Sequence, residues 1–203
     1  RATFMPKPFM NLTGNGCHAH MSIWDLEGKT NLFSTDGVDP RGLGLSPLAY
    51  QFLGGIMESA VDLTAIFNPT VNSFKRINAP RTLSGATWAP NAVTYGGNNR
   101  THMVRVPDPG RFELRLMDGA VNPYLLQAGM LAAGLDGVEN NRDPGDPLDI
   151  NMYEEGHLVK DARHLPENLL DAIRLLDNNA IMRKALGDDF VNAFVKLKMA
   201  DWN

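Results

Sequence analysis

Nine residues near the start of the chain, GNGCHAHMS at 14–22, carry two imidazoles two positions apart in a segment whose alternation predicts an extended strand. Successive strand side chains point to opposite faces, so Gly16, His18, His20 and Ser22 share one face and Cys17, Ala19 and Met21 the other. One face is apolar; the other can do chemistry. The two rings stand about 7 Å apart along such a strand, within reach of one metal ion or of neighbouring atoms of one ligand. The same spacing suits two hydrogen-bonded histidines on a half-exposed strand, and these residues alone leave both readings open. A zinc hydrolase built on the pair would need a third ligand and an open coordination position. No later histidine is placed to provide it, since His157 and His164 fall in polar connections.

A second concentration is cationic. Lys75, Arg76, Arg81, Arg100, Arg105, Arg111 and Arg115 face only two carboxylates, Asp108 and Glu113, in the same stretch, a local excess of five positive charges in a chain whose net charge is −4. Acidity overall argues against general affinity for nucleic acid, whereas clustered arginine points to one local site for small anions. Guanidinium matches carboxylate and phosphate in bidentate geometry. Scattered surface arginine is the alternative. Within the stretch, RFELR at 111–115 alternates cleanly, with Arg111, Glu113 and Arg115 on one face and Phe112 and Leu114 on the other. By itself that face also suits an amphipathic strand turned to water.

These groups need elements to hold them. Residues 2–9 predict a strand broken by proline, followed by the histidine strand, a turn at 25–29 and a short extended segment at 30–33. Ser46-Pro47 is an N-cap with proline at the first helical position, opening a core helix through 48–67 that Asn68-Pro69 ends. Residues 71–99 hold many turn formers and little periodicity, so they predict a long functional loop. Strands are expected at 101–106 and 112–117, joined by Pro107-Asp108-Pro109-Gly110. Asn122-Pro123 opens a second long helix to about residue 140, and three short helices follow at 166–176, 180–186 and 188–199, with Gly187 punctuating the last two. The expected fold is α+β: an antiparallel sheet, a partial barrel, carrying the site and backed by helices, with a helical C-terminal region.

The 203 residues suit one domain with a real core, and 43% hydrophobic against 21% charged residues excludes disordered and fibrous classes. No apolar run spans a bilayer and no signal-peptide pattern opens the chain. A single cysteine, Cys17, fits a reducing compartment, so a cytoplasmic location is expected. The chain begins on Arg1 with a strand that nothing leads into, which suggests a fragment.

Taken together, ATFMPKP at 2–8, GNGCHAHMS at 14–22, NSFKR at 72–76, NNR at 98–100, RFELR at 111–115, NPY at 122–124 and AGLDG at 133–137 resemble the glutamine synthetase family, in order and spacing across nearly the whole chain. The resemblance is to the C-terminal portion of that family's catalytic domain, covering 1–203, without the N-terminal β-grasp domain and the start of the catalytic domain. It implies ATP-dependent ligation of glutamate to an amine through γ-glutamyl phosphate. Carried over by position, His18 and Glu113 would ligate one divalent metal, Mg²⁺ or Mn²⁺. His20, Ser22, Arg105 and Arg111 would contact ATP. Thr13, Gly14, Arg76, Arg100 and Arg115 would bind glutamate, with Arg76 and Arg100 also catalytic at the transferred phosphoryl group. Thr13 departs from an asparagine common there.

A further departure bears on substrate. Where glutamine-forming members carry a glutamate in a Tyr-Glu-Ala-Pro flap, this chain reads Thr87-Trp88-Ala89-Pro90. An indole cannot accept a proton, but it can wall an apolar pocket or face a cation, so Trp88 suggests an alkylamine such as methylamine or ethylamine instead of ammonium. Trp88 merely packing the flap is the alternative. The connection before Arg111 is short, and a family lysine has no equivalent there. The implied partners are ATP, glutamate and a small amine, in a homo-oligomer of stacked rings, a dodecamer, with no nucleic acid and no membrane. The glutamates for the second metal are missing, so the isolated chain is expected to be inactive. An ammonium-using glutamine synthetase and a non-catalytic binding or regulatory relative remain the alternatives.

Overall fold

A computed structural model describes residues 2–79 and 89–203; Arg81 and Trp88 lie outside the described residues. The architecture is α+β, with a four-stranded sheet in the order β1-β4-β3-β2 backed by helices. The strands are β1 (Ala19–Met21), β2 (Tyr95–Gly96), β3 (Val104–Asp108) and β4 (Arg111–Leu114). β4 pairs antiparallel with both β1 and β3, as expected, while β2 pairs parallel with β3 at the edge. The parallel edge arises because the chain after β2 loops fully round before β3, a loop closed by the Val106 N–H donating to the Gly97 carbonyl.

The histidine strand is shorter than its alternation implied. Regular pairing covers only Ala19–Met21, and the residues before it are held by a Gly16–Asp118 bridge and by the Cys17 N–H donating to the Met117 carbonyl. Residues 2–8 form no strand. Pro6 and Pro8 lack the N–H groups a ladder requires, and the segment is tied instead to a helix: Lys7 N–H donates to Asn72 Oδ1 at 2.6 Å, and Asn72 Nδ2 donates to the Lys7 carbonyl at 3.0 Å.

Helix α1 (Pro47–Phe67) starts where the Ser46-Pro47 pair places it, with the Ser46 hydroxyl accepting the Ala49 N–H. Helix α2 (Val71–Ile77) lies inside the segment expected to be loop; its Thr70 and Ser73 form a reciprocal capping box. Seven residues are too few to display a helical period. Helix α3 (Pro123–Glu139) is capped by Asn122, and α4 (Leu169–Asn178), α5 (Ala180–Leu186) and α6 (Asp188–Trp202) complete the chain, α5 ending at Gly187 with φ 88°. Among the described residues, no helix is long and apolar enough to cross a membrane.

The core lies between the apolar face of the sheet and α1. Phe112 of β4 stacks on Phe33 with ring centroids 5.4 Å apart, and Phe33 meets Phe52 of α1 at the same distance. All three are fully buried, each contributing about 1.5–3 kcal/mol of hydrophobic stabilisation. This cluster pins the apolar side of β4 and so turns Glu113 and Arg115 to the other side. Helices α1 and α3 pack at backbone contact: a Cβ on Gly55 would lie 2.0 Å from the Ala133 carbonyl oxygen. Replacing Gly55 by alanine must push the helices apart. It is expected to cost about 3 kcal/mol, the upper range for overpacking, seen as a fall in Tm of about 6–12 °C in thermal unfolding.

Candidate functional site

The sheet register assembles the site. His20 stands opposite Glu113, and Glu113 opposite Arg105, so three neighbouring strands put a polar side chain at one level on one face. Glu113 is the hub and is only 3% exposed. Its Oε2 accepts from Arg105 Nη1 at 2.9 Å, and its Oε1 accepts from Arg115 Nη1 at 2.9 Å. His18 Nδ1 lies 2.9 Å from the same Oε1, and His20 Nε2 3.9 Å away. Burial would raise the pKa of this carboxyl, but the Arg105 hydrogen bond and the Arg115 charge outweigh it, holding Glu113 below its usual range and ionised.

His18 is moved the other way. Burial and the neighbouring Arg115 guanidinium lower its pKa to about 4, against a weaker pull upward from Glu113. The ring is neutral at pH 7. A neutral ring beside a carboxylate donates from Nδ1 and keeps its lone pair on Nε2. The unfolded chain holds the proton from about pH 6.5 downward and the folded chain only from about pH 4, so His18's contribution to stability is complete above 6.5 and is lost as pH falls to 4. An NMR titration of the metal-free protein is expected to show a His18 midpoint near 4.

Around this hub lies a cleft of about 450 Å³. Thr13, Gly14 and Gly16 form one wall; Arg76, Arg100, Arg105 and Arg115 supply charge, and Lys7 and Ala89 complete it. Among the described residues, five cations therefore line it against one carboxylate. Arg76, projecting from α2, is buried and anchored by backbone carbonyls: Nη1 donates to Leu116 O at 2.9 Å and Nη2 to Arg115 O at 3.4 Å. Those acceptors fix its direction without neutralising it. Burial lowers its pKa, and Asp118 opposes the shift. Arg115 is buried as well, and its Nε has no hydrogen-bond partner among the described residues, an orphaned donor of the kind a ligand satisfies.

Ser22 and Arg111 line the same strand faces but sit outside the cleft, with His20 beside them. Arg111 Nη1 meets His20 Nδ1 at 2.7 Å while its other nitrogen pairs with Asp108, and Ser22 accepts from the Trp24 indole. These three residues form an exposed rim continuous with the hub. The site positions singled out in the sequence thus divide into a cleft group and a rim group, while Arg81 and Trp88 lie outside the described residues.

Two donors suit a hard divalent ion. The His18 lone pair on Nε2 and the carboxylate oxygens of Glu113 lie on the same cleft, where they could face one ion. A neutral imidazole and an ionised carboxylate are an appropriate donor pair. Among the described residues no group of three or more His, Cys, Asp or Glu could hold a metal.

Sequence reasoning missed Lys7 and Asp118. Both are buried and both stand near Arg76. The MPKP run contains Lys7, but no spacing rule separates a buried lysine from a solvated one.

A family model described as "Glutamine synthetase, catalytic domain" matches residues 1–203. The chain is 63% identical to a glutamine synthetase of Rhizobium leguminosarum bv. phaseoli over its full length and 46% of that protein, and 49% identical to a glutamate–methylamine ligase of Methyloversatilis universalis over 98% of the chain and 45% of the relative. A solved GmaS/ADP complex superposes with a TM-score of 0.90 at 61% identity, covering all of this chain and 45% of that one. The chain spans a little under half the length of these relatives. A cleft built on His18, Glu113 and arginines, with a match along every residue, places one conclusion beyond its parts: the chain belongs to the glutamine synthetase family.

Proposed function

We propose that the protein carrying this chain joins glutamate to a short alkylamine, with methylamine as the favoured substrate, at the expense of ATP. The observation that carries this reading is the register-paired His20, Glu113 and Arg105 group, with His18 against Glu113, at a cleft whose other charges among the described residues are cationic. In the first step a γ-carboxylate oxygen of glutamate attacks the terminal phosphorus of ATP, forming γ-glutamyl phosphate and releasing ADP. In the second the amine nitrogen attacks the γ-carbonyl carbon, inorganic phosphate leaves, and the nitrogen gives up a proton.

Little covalent help is needed for such a transfer; positioning and charge stabilisation dominate. Arg76, Arg100 and Arg115 bind the amino acid's carboxylates with Thr13 and Gly14, and Arg76 and Arg100 stabilise charge on the transferred phosphoryl group. His20, Ser22, Arg105 and Arg111 hold the nucleotide, continuous with the rim. His18 and Glu113 would hold one Mg²⁺ or Mn²⁺, which when bound neutralises phosphate charge. The chain is proposed to be the C-terminal portion of a longer catalytic domain, assembled as a homo-oligomer of stacked rings, a dodecamer, in the cytoplasm. Alone it is expected to be inactive.

The choice of alkylamine rests on Trp88 in place of a proton-accepting glutamate, and on likeness to both a methylamine ligase and GmaS. The 63% identity to a glutamine synthetase supports the ammonium alternative. Phosphate release by the protein carrying this chain, with ammonium and methylamine at matched free-base concentrations, decides between them. Methylamine is expected to win at least tenfold in kcat/KM, about 1.4 kcal/mol of discrimination. A preference for ammonium would make it a glutamine synthetase with an unusual flap, and phosphate release with neither would leave a binding subunit.

A further inference from the structure

Lys7 is 2% exposed, lines the cleft, and forms no ion pair among the described residues. An ammonium buried without a carboxylate is costly, so its position needs a reason. Its Nζ donates to the Leu12 carbonyl at 2.5 Å, across a loop whose Phe9, Met10 and Leu12 side chains are all half-exposed or more. That loop has little apolar burial of its own to hold it. It ends at Thr13 and Gly14, which line the cleft beside Arg76. There the fit is close: a Cβ on Gly14 would lie 2.7 Å from Pro6 O and 3.5 Å from both Arg76 Cγ and Lys7 Cδ. Asn72 grips the Lys7 backbone from α2, the helix that also carries Arg76.

We propose that Lys7 is a positioning residue for amino-acid recognition, clamping the Leu12 carbonyl so that Thr13 and Gly14 stand at a fixed distance from Arg76. Its charge adds to the field that draws carboxylates into the cleft. The low exposure and the neighbouring Arg76 pull its pKa down, with burial the larger cause; a carboxylate entering the cleft favours the charged form. The inference rests on the reading of Thr13 and Gly14 as glutamate contacts.

In the protein carrying this chain, Lys7→Met keeps the length and removes the donor and charge. The expected result is a glutamate KM raised at least tenfold, with kcat and the ATP KM within threefold, and recovery of most of the loss in Lys7→Arg. An unmoved glutamate KM overturns the proposal, as does an equal loss in kcat and in both KM values, the pattern of general misfolding. If Lys7→Met does not fold, Lys7→Gln against Lys7→Arg decides: a tenfold higher glutamate KM in the glutamine variant is expected, and equality overturns the idea. Wild-type protein indifferent to glutamate would defeat the functional reading, and this inference with it. Active wild type with unaffected variants would defeat this inference alone.

Discussion

Replacing Glu113 by glutamine is expected to lower kcat/KM by at least about 10³-fold, the largest effect of any single change in the cleft. Loss of one preorganised electrostatic contact costs about 10²–10³ in rate, and this carboxylate contacts Arg105, Arg115 and His18 at once. The amide keeps the shape but cannot ligate a hard cation as an anion or hold two guanidiniums. Affinity for Mn²⁺, read by paramagnetic resonance, should fall with activity. Stability should fall too, because Arg115, with 4% of its side chain exposed, would lose its counter-charge. Breaking a buried pair on one side costs about 3–5 kcal/mol, a drop in Tm of roughly 10 °C for a domain of this size. A variant that loses stability while keeping metal affinity and rate would show Glu113 to be structural only.

Arg115→Lys is expected to be nearly as damaging to catalysis, by about 10²–10³ in kcat/KM. The substitution keeps a positive charge, so a purely Coulombic role would survive it. The guanidinium does more. Nη1 holds Glu113 at 2.9 Å and approaches His18 Nδ1 at 3.3 Å, while Nε stays buried and unpartnered. A fork can grip the hub carboxylate and still aim further N–H groups at a ligand; an ammonium is a point donor on a flexible stem. Steady-state kinetics should place most of the loss in the glutamate terms. A lysine variant within threefold of wild type would remove Arg115 from the recognition machinery.

The parts of the fold that announced themselves did so through caps and alternation. Ser46-Pro47 and Asn122-Pro123 fixed the starts of α1 and α3, and Gly187 the end of α5. The polar face of the histidine segment and the charged face of 111–115 could be read separately, and their register brings His20 opposite Glu113. What could not be read was short or three-dimensional. Helix α2 is two turns held by a capping box, and the two-residue β2 joins its neighbour in parallel through a loop that no local propensity encodes. Residues 2–8 have the composition of a strand, but two prolines and the Asn72 side chain hold them otherwise. Lys7 and Asp118 became part of the site only through burial beside Arg76. The ligand roles assigned to His18 through Arg115 came from resemblance, and geometry supports them by bringing those side chains to one cleft and its rim.

The central claim is that this cleft activates a carboxylate by phosphorylating it. Glutamate labelled with ¹⁸O in its γ-carboxylate tests that directly when supplied with ATP, Mg²⁺ and methylamine to the protein carrying this chain. Attack by the carboxylate on phosphorus leaves one labelled oxygen bridging to phosphate, and amine attack at carbon then expels it. One ¹⁸O per released phosphate is the predicted result, measured by mass spectrometry; unlabelled phosphate released with amide formation would contradict the account.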